Sequence, residues 1–346
     1  MSGNPTVIVS YSGVLGGAER ILLDCATRLG EPVVVACPEG PLAEAVRAAG
    51  LEHAALQERP LRLGAAHARG LAGLEREVHA LAVRRRPSAL VAWGARAVLA
   101  TAPLRRRPPL LAVHMDLLPR RGVAAAVRWA TRRTDGVAAA SEAIAAAVAA
   151  PATILRPGVD LDRFAASAAP VGPPRALALA ALVPWKRPDL ALEVAARVPG
   201  LRLELAGAPI PGDSGGFVRE LEARASASDL AGRVTFLGPV ADPREALARA
   251  HCLLHCADAE PWGLALVEAL AAGRPVVAAD AGGPREIVTG GAGRLFPPGD
   301  AAAAAAALQE VLADPAAPAA ARTRGEQFPV EASAERFREA LEAIRP

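Results

Sequence analysis

Residues 252–278 read CLLHCADAEPWGLALVEALAAGRPVVA. Cys252–Cys256 is an apolar run of strand length, Leu264–Ala272 is a stretch of good helix formers, and Pro275–Ala278 is a second apolar run. Strand, loop, helix and strand in that order make a βαβ unit, with parallel strands and a right-handed crossover. Neither apolar run alternates with polar residues, so the sheet is expected to be covered on both faces.

The same alternation extends in both directions. Thr6–Ser10, Pro32–Ala36, Ala89–Trp93, Leu110–His114 and Val137–Ala139 read as strands, with helices such as Gly17–Leu29 and Leu42–Ala49 between them. The stretch 165–174, AASAAPVGPP, is aperiodic and rich in breakers, and reads as a linker. The pattern then restarts with strands at Ala176–Ala180, Leu201–Ala206 and Val234–Leu237. Helices follow at Pro188–Val198, Phe217–Ala227 and Ala301–Leu312, and a last amphipathic helix at Val330–Ile344. A length of 346 residues suits two domains. The expectation is an α/β protein of two doubly wound Rossmann-like domains, 1–165 and 175–328, facing across a cleft, with 330–346 as a separate C-terminal helix. Ligands of such sheets lie beyond the carboxyl ends of the strands, so chemistry is sought in the loops that follow them.

Composition narrows the function. A hydrophobic fraction of 52% supports a large core and excludes a disordered chain. Glu142 interrupts the longest Ala-rich stretch, so no run approaches the roughly 18 apolar residues of a membrane span. The opening MSGNPTVIVS lacks a basic leader, which points to a cytoplasmic protein. Aromatics at 3% argue against base-stacking platforms, so nucleic acid is not an expected partner. Four scattered cysteines suit reduced thiols. Residues 1–165 carry 21 Arg against 14 acids, while 166–346 carry 18 Lys plus Arg against 22 acids. The basic clusters of the first half, such as Arg84–Arg86 and Arg105–Arg107, read either as solvated helix ends or as a surface for an anionic acceptor or peripheral membrane contact.

Lys186 is the single lysine of the chain. Where Arg replaces Lys almost everywhere, a retained Lys marks a place that needs a compact ammonium. It lies in Val183–Asp189, VPWKRPD, at the carboxyl end of the second half's first strand, where it can act as a point charge on a phosphate leaving group. In Glu260–Glu268, EPWGLALVE, Gly263 allows a close approach to a ligand. The first amides of the following helix, near Leu264 and Ala265, favour negative charge. Glu260 and Glu268 would be repelled by a diphosphate, so as pure acceptors they suit sugar hydroxyls. The plainer reading makes Glu260 a loop cap and Glu268 a solvated helix residue. Ser12–Arg20, SGVLGGAER, is a glycine-rich strand-to-helix turn that fails the dinucleotide pattern.

These segments resemble the retaining glycosyltransferases of family 4, which have the GT-B fold. The resemblance rests on E-P-W-G-L-A-L-V-E with its continuation Ala271–Val288, on G-G-A-E-R at Gly16–Arg20, and on R-P-G-V-D at Arg156–Asp160. It also rests on V-P-W-K-R-P-D and on V-T-F-L-G at Val234–Gly238. It implies a metal-independent transfer from a nucleoside-diphosphate sugar, as substrate rather than cofactor, to a hydroxyl acceptor. Lys186 would bind the donor pyrophosphate, Glu268 the ribose hydroxyls and Glu260 the donor sugar. Trp262, Gly263, Leu264 and Ala265 would complete the donor set, and Gly17 would border the phosphates. His114 would contact the transferred sugar or the acceptor, although alone it reads as a satisfied strand-end histidine. The final helix would cross back to the first domain. One departure stands out: the family's Arg five residues before the Lys is Ala181 here, which removes a bidentate phosphate clamp. It motivates a second reading, a non-catalytic sugar-nucleotide or glycan-binding relative.

Two patterns are read as decoys. Asp160–Leu161–Asp162 matches a three-residue metal motif but is expected to be a structural loop. His251, Cys252, His255 and Cys256 are ligand types, yet strand alternation sends their side chains to opposite faces.

Overall fold

A computed structural model describes residues 4–58, 65–118, 121–165, 170–210 and 215–346. The chain divides into two compact units, Met1–Pro157 with Val330–Pro346, and Gly158–Pro329. The passage to the second unit thus comes at Gly158, ahead of the boundary expected at 165. The reason is local: Val159 bridges Pro329, and its N–H donates to Phe328 O at 3.0 Å, which ties this stretch to the second unit's last residues. Residues 166–169 of the expected linker lie outside the described residues.

The first unit alternates β1 (Thr6–Ser10), α1 (Gly17–Thr27), β2 (Val33–Pro38), α2 (Pro41–Ala48), β3 (Glu52–Leu56), α3 (Ala65–Arg85) and β4 (Ala89–Trp93). It continues with α4 (Ala95–Thr101), β5 (Leu110–His114), α5 (Arg121–Thr131), β6 (Gly136–Ala139), α6 (Glu142–Val148) and β7 (Thr153–Ile154). The seven strands form one sheet in the order β3-β2-β1-β4-β5-β6-β7, and every pair is parallel. Residues of β1, β4 and β5 are buried throughout, as their continuous apolar runs require when helices cover both faces.

The second unit runs β8 (Arg175–Leu179), α7 (Pro188–Arg197), β9 (Arg202–Ala206), α8 (Gly215–Ala225), β10 (Val234–Gly238), α9 (Arg244–Arg249) and β11 (Cys252–His255). Then follow α10 (Leu264–Ala271), β12 (Val276–Ala279), α11 (Pro284–Ile287), β13 (Gly293–Phe296), α12 (Ala301–Ala313) and α13 (Ala317–Gly325). Its six parallel strands lie in the order β10-β9-β8-β11-β12-β13. The order reverses between β8 and β11, whose residues Ala176 and Leu177 face Cys252 and Leu253. Loops leaving a reversal point diverge and open a crevice, which is where this architecture holds ligands.

The last helix, α14 (Val330–Glu342), belongs to the first unit. Phe337 is fully buried on it and meets Trp93 edge-on at 5.8 Å. Past its end, Arg345 reaches Glu31, Thr6 and Ser88, and a carboxylate so paired is held below its usual range. Among the described residues no helix is long and apolar enough to cross a membrane. The four cysteines are free and buried, and burial pushes the Cys37 and Cys252 thiols up to about 12. If α14 is part of the first unit's core, Phe337→Ala should cost roughly 3–5 kcal/mol of stability. Denaturant titration measures it, and a loss near zero would show the helix to be an ornament.

Candidate functional site

Lys186 ends a 3-10 turn, Pro184–Lys186, just beyond β8. Glu260 lies in the loop that joins β11 to α10. Because β8 and β11 are neighbours, these two loops emerge side by side although 74 residues separate Lys186 from Glu260. They are laced together twice. The Asp258 N–H donates to Trp185 O at 3.1 Å, and the Arg187 guanidinium bonds Asp258 at 2.9 Å. Arg187 itself sits in the left-handed region, with φ +53°, a strained conformation for a side chain with a Cβ. Its guanidinium is fully engaged by Asp189 and Asp258, so it does not stand in for the clamp that Ala181 lacks.

The Lys186 ammonium donates to Oε2 of Glu260 at 2.6 Å. His255, the last residue of β11, bonds the same oxygen through Nε2 at 2.8 Å. Glu260 is 7% exposed. Burial alone would raise its pKa, but the His255 hydrogen bond and the charges of His255 and Lys186 outweigh it and hold the carboxyl at about 2. It is therefore ionised and a pure acceptor at neutral pH, so His255 Nε2 carries the hydrogen in their bond.

The backbone of Glu260 is pinned on both sides. Its N–H donates to Ala281 O at 3.1 Å, and its carbonyl accepts from the Gly283 N–H at 2.8 Å. A Cβ on Gly283 would stand 2.3 Å from Trp262 O, so only glycine lets the 280–283 loop lie this close. Gly263 caps α10 with φ +108°, ψ +61°, a backbone state glycine adopts without strain. The turn it makes leaves the amides of Leu264 and Ala265 without an i−4 carbonyl inside the helix. Glu268 is buried on α10. Trp262 is 3% exposed, and its indole meets Phe328 edge-on at 5.7 Å. Any donor contact from Trp262 therefore comes from its backbone, because its ring is core. Trp185, by contrast, is 48% exposed, and the Lys186 ammonium lies 4.3 Å from its ring centroid. Ala180, Ala181 and Leu182 line a hollow that Lys186 and His255 also line.

In the first unit, Gly17 opens α1, and the Glu19 carboxylate turns back to accept the Gly16 N–H at 3.0 Å. His114 ends β5 at 1% exposure. Its Nε2 bonds the Thr131 hydroxyl at 3.1 Å; that hydroxyl donates to Val127 O, so the ring nitrogen is the donor. Burial lowers the His114 pKa to about 4, which keeps the ring neutral at physiological pH.

The two decoy patterns have structural roles. Asp160 Oδ1 accepts the N–H groups of Asp162 and Arg163 and closes a turn. His251 Nδ1 accepts the Arg175 N–H at 3.1 Å. Among the described residues no group of three or more His, Cys, Asp or Glu could hold a metal ion. Sequence reasoning set His255 aside with that cluster. Its signal was its place at a strand's carboxyl end, five residues before Glu260.

The pairing of Glu260 has a pH signature. Its carboxyl falls from the usual 4.5 to about 2 on folding, so the stabilisation is fully present above pH 4.5 and is lost as pH falls towards 2. The stability difference between the protein and Glu260→Gln should shrink across that window in denaturant titrations. A difference that ignores pH would mean the carboxylate is not held this way.

Comparison with known proteins bears on the second unit first. Residues 161–328 match the family model of the glycosyl transferases group 1. D-inositol 3-phosphate glycosyltransferase of Mycolicibacterium paratuberculosis is 36% identical over 186 residues, covering 49% of this chain and 41% of that protein. Phosphatidyl-myo-inositol mannosyltransferase of Mycolicibacterium smegmatis is 46% identical over 99 residues, 28% of this chain and 26% of that protein. The matches thus span less than half the length of these relatives. Among solved structures, Anabaena HepE in complex with UDP-glucose superposes with a TM-score of 0.87 at 24% identity, over 98% of this chain and 100% of that one. WaaG, a glycosyltransferase involved in lipopolysaccharide biosynthesis, gives 0.73 at 18% identity, over 96% and 98%. Both parallel-sheet units and their order agree with that architecture: the chain has the GT-B fold, and its residues 161–328 are similar to the glycosyl transferases group 1.

Proposed function

We propose that this protein is a retaining, metal-independent glycosyltransferase of the family 4 type, moving a sugar from a nucleoside-diphosphate donor to a hydroxyl acceptor. One observation carries the reading. The chain's single ammonium side chain stands at the β8–β11 reversal point, 2.6 Å from a buried carboxylate and beside a loop that leads into a helix N-terminus. The group 1 match over 161–328 and the UDP-glucose bound by HepE, a protein of the same fold, support it.

On this reading Lys186 and the first amides of α10, at Gly263, Leu264 and Ala265, stabilise the charge that grows on the departing diphosphate. They supply the positive potential that a divalent cation supplies in other transferases. Glu268 holds the ribose hydroxyls, and Glu260 offers the donor sugar an acceptor. In the first unit Gly17 serves the donor phosphates, and His114, neutral and fixed by Thr131, contacts the transferred sugar or the acceptor. The bond from the anomeric carbon to the phosphate oxygen breaks while the bond to the acceptor oxygen forms on the same face. The acceptor's proton passes to the departing phosphate oxygen, so no enzyme nucleophile is needed.

Two measurements test the reading. A panel of UDP-, GDP-, ADP- and dTDP-sugars should yield transfer with at least one donor, and Lys186→Ala should lower kcat/KM by roughly 100- to 1,000-fold. Turnover near that of the unaltered protein would remove Lys186 from its role, and an inverted anomer by NMR would overturn retention. The Ala181 departure gives a second arm. Ala181→Arg returns a guanidinium to the hollow shared with Lys186 and should tighten UDP binding about tenfold, the worth of one charge-assisted hydrogen bond. Calorimetry showing unchanged affinity would place the phosphates elsewhere.

A further inference from the structure

The hydrogen-bond arrangement around Glu260 raises a question of charge. Both bonds described for its carboxylate fall on Oε2, one from Lys186 and one from His255. If Lys186 serves a diphosphate, its ammonium is drawn towards two phosphate charges and away from Oε2. A buried carboxylate that loses its cation is strongly destabilised unless another donor remains. The surroundings offer few. Arg187 lies at the same hollow but is bound to Asp189 and Asp258. β12 places Ala278 opposite His255, and the loop after β8 brings Ala180, Ala181 and Leu182, none of which is charged. Among the described residues, the titratable groups bonded to His255 or sharing its hollow are Glu260, Lys186, Arg187 and Cys256, and α10, which also packs on β11, carries the buried Glu268.

We propose that His255 is a positioning residue: it fixes Oε2 of Glu260 through Nε2–H and compensates that buried carboxylate while Lys186 turns to a nucleoside diphosphate. The proposal rests on the reading of this unit as a nucleotide-sugar site. It adds a division of labour that the glycosyltransferase reading does not contain. Lys186 is shared between protein and substrate, and His255 stays with the protein. With one carboxylate oxygen held by a residue at the rigid end of β11, Oε1 keeps its direction towards the donor sugar throughout the exchange.

The test has an arm that needs no turnover. In ligand-free protein, imidazole NMR follows the titration of His255 in the unaltered chain and in Lys186→Met. Removing the ammonium should raise the His255 midpoint by about one pH unit or more, and saturating UDP should move the unaltered protein the same way. A midpoint that ignores both changes overturns the proposal. In the transfer assay, His255→Leu should lose about 100-fold in kcat with a smaller change in KM for the donor, the cost of a misplaced group. His255→Gln keeps a side-chain N–H, so it should recover most of kcat. Equal activity in the Leu and Gln variants would overturn the proposal, as would a KM effect alone. Should His255→Leu fail to fold, the Gln variant and the NMR titration still decide. If no donor sugar is transferred at all, the glycosyltransferase reading fails, and the comparison with Lys186→Met still judges His255.

Discussion

A carboxylate buried to the degree of Glu260 must be compensated within the protein or take up a proton. Most of the second unit's site follows from meeting that demand. Compensation comes from Lys186 on the loop after β8 and from His255 at the end of β11, and both bonds converge on one oxygen. Neither partner could arrive without the strand order that makes β8 and β11 neighbours. The backbone bonds of Glu260 to Ala281 and Gly283, and the Asp258–Trp185 bond, then hold three loops in one arrangement. The site is thus fixed by sheet topology first and by side-chain pairing second.

The arrangement also explains why a single lysine is enough. The cation that follows it in sequence and shares its hollow is spent. Arg187 is engaged by two aspartates, and its guanidinium anchors the loop rather than a ligand. An ammonium is a compact charge on a rotatable stem, so it can turn from Glu260 towards an anion, which a planar guanidinium locked by carboxylates cannot do. The exposed Trp185 ring beside it adds a weak attraction for the same cation and keeps it near the loop.

The first unit shows the same economy in its core and less chemistry in its described residues. α14 is separated from the rest of that unit in sequence yet closes it. Phe337 packs on Trp93, and Arg345 gathers Glu31, Thr6 and Ser88 at the amino-terminal ends of the central strands β2, β1 and β4. His114, which the resemblance makes a contact residue, is held neutral by burial and oriented by Thr131. A histidine so constrained can offer a hydrogen bond but little proton transfer near neutral pH, because its pKa of about 4 is far from the working range.

By itself the sequence determined the alternation of strands and helices, because continuous apolar runs such as Thr6–Ser10 and Leu110–His114 can be buried on both faces only in a parallel sheet. It also marked Lys186, by uniqueness, and the Glu260–Glu268 loop and helix, by its glycine and spacing. It did not reveal β3, whose EHAAL carries no apolar run because it is an edge strand with one neighbour, nor the short β7 and the edge strand β13. It gave no sign that His255 meets Glu260, since adjacency in a strand says nothing about which loop a side chain will meet. It placed the domain boundary late, because breakers mark loops and not the contacts of Val159 with Phe328 and Pro329. Only the tertiary structure decided that Trp262 is core, that Arg187 is already spent, and that Lys186 and His255 share one carboxylate oxygen. Those facts depend on which strands are neighbours, and that is a long-range property no local stretch of residues encodes.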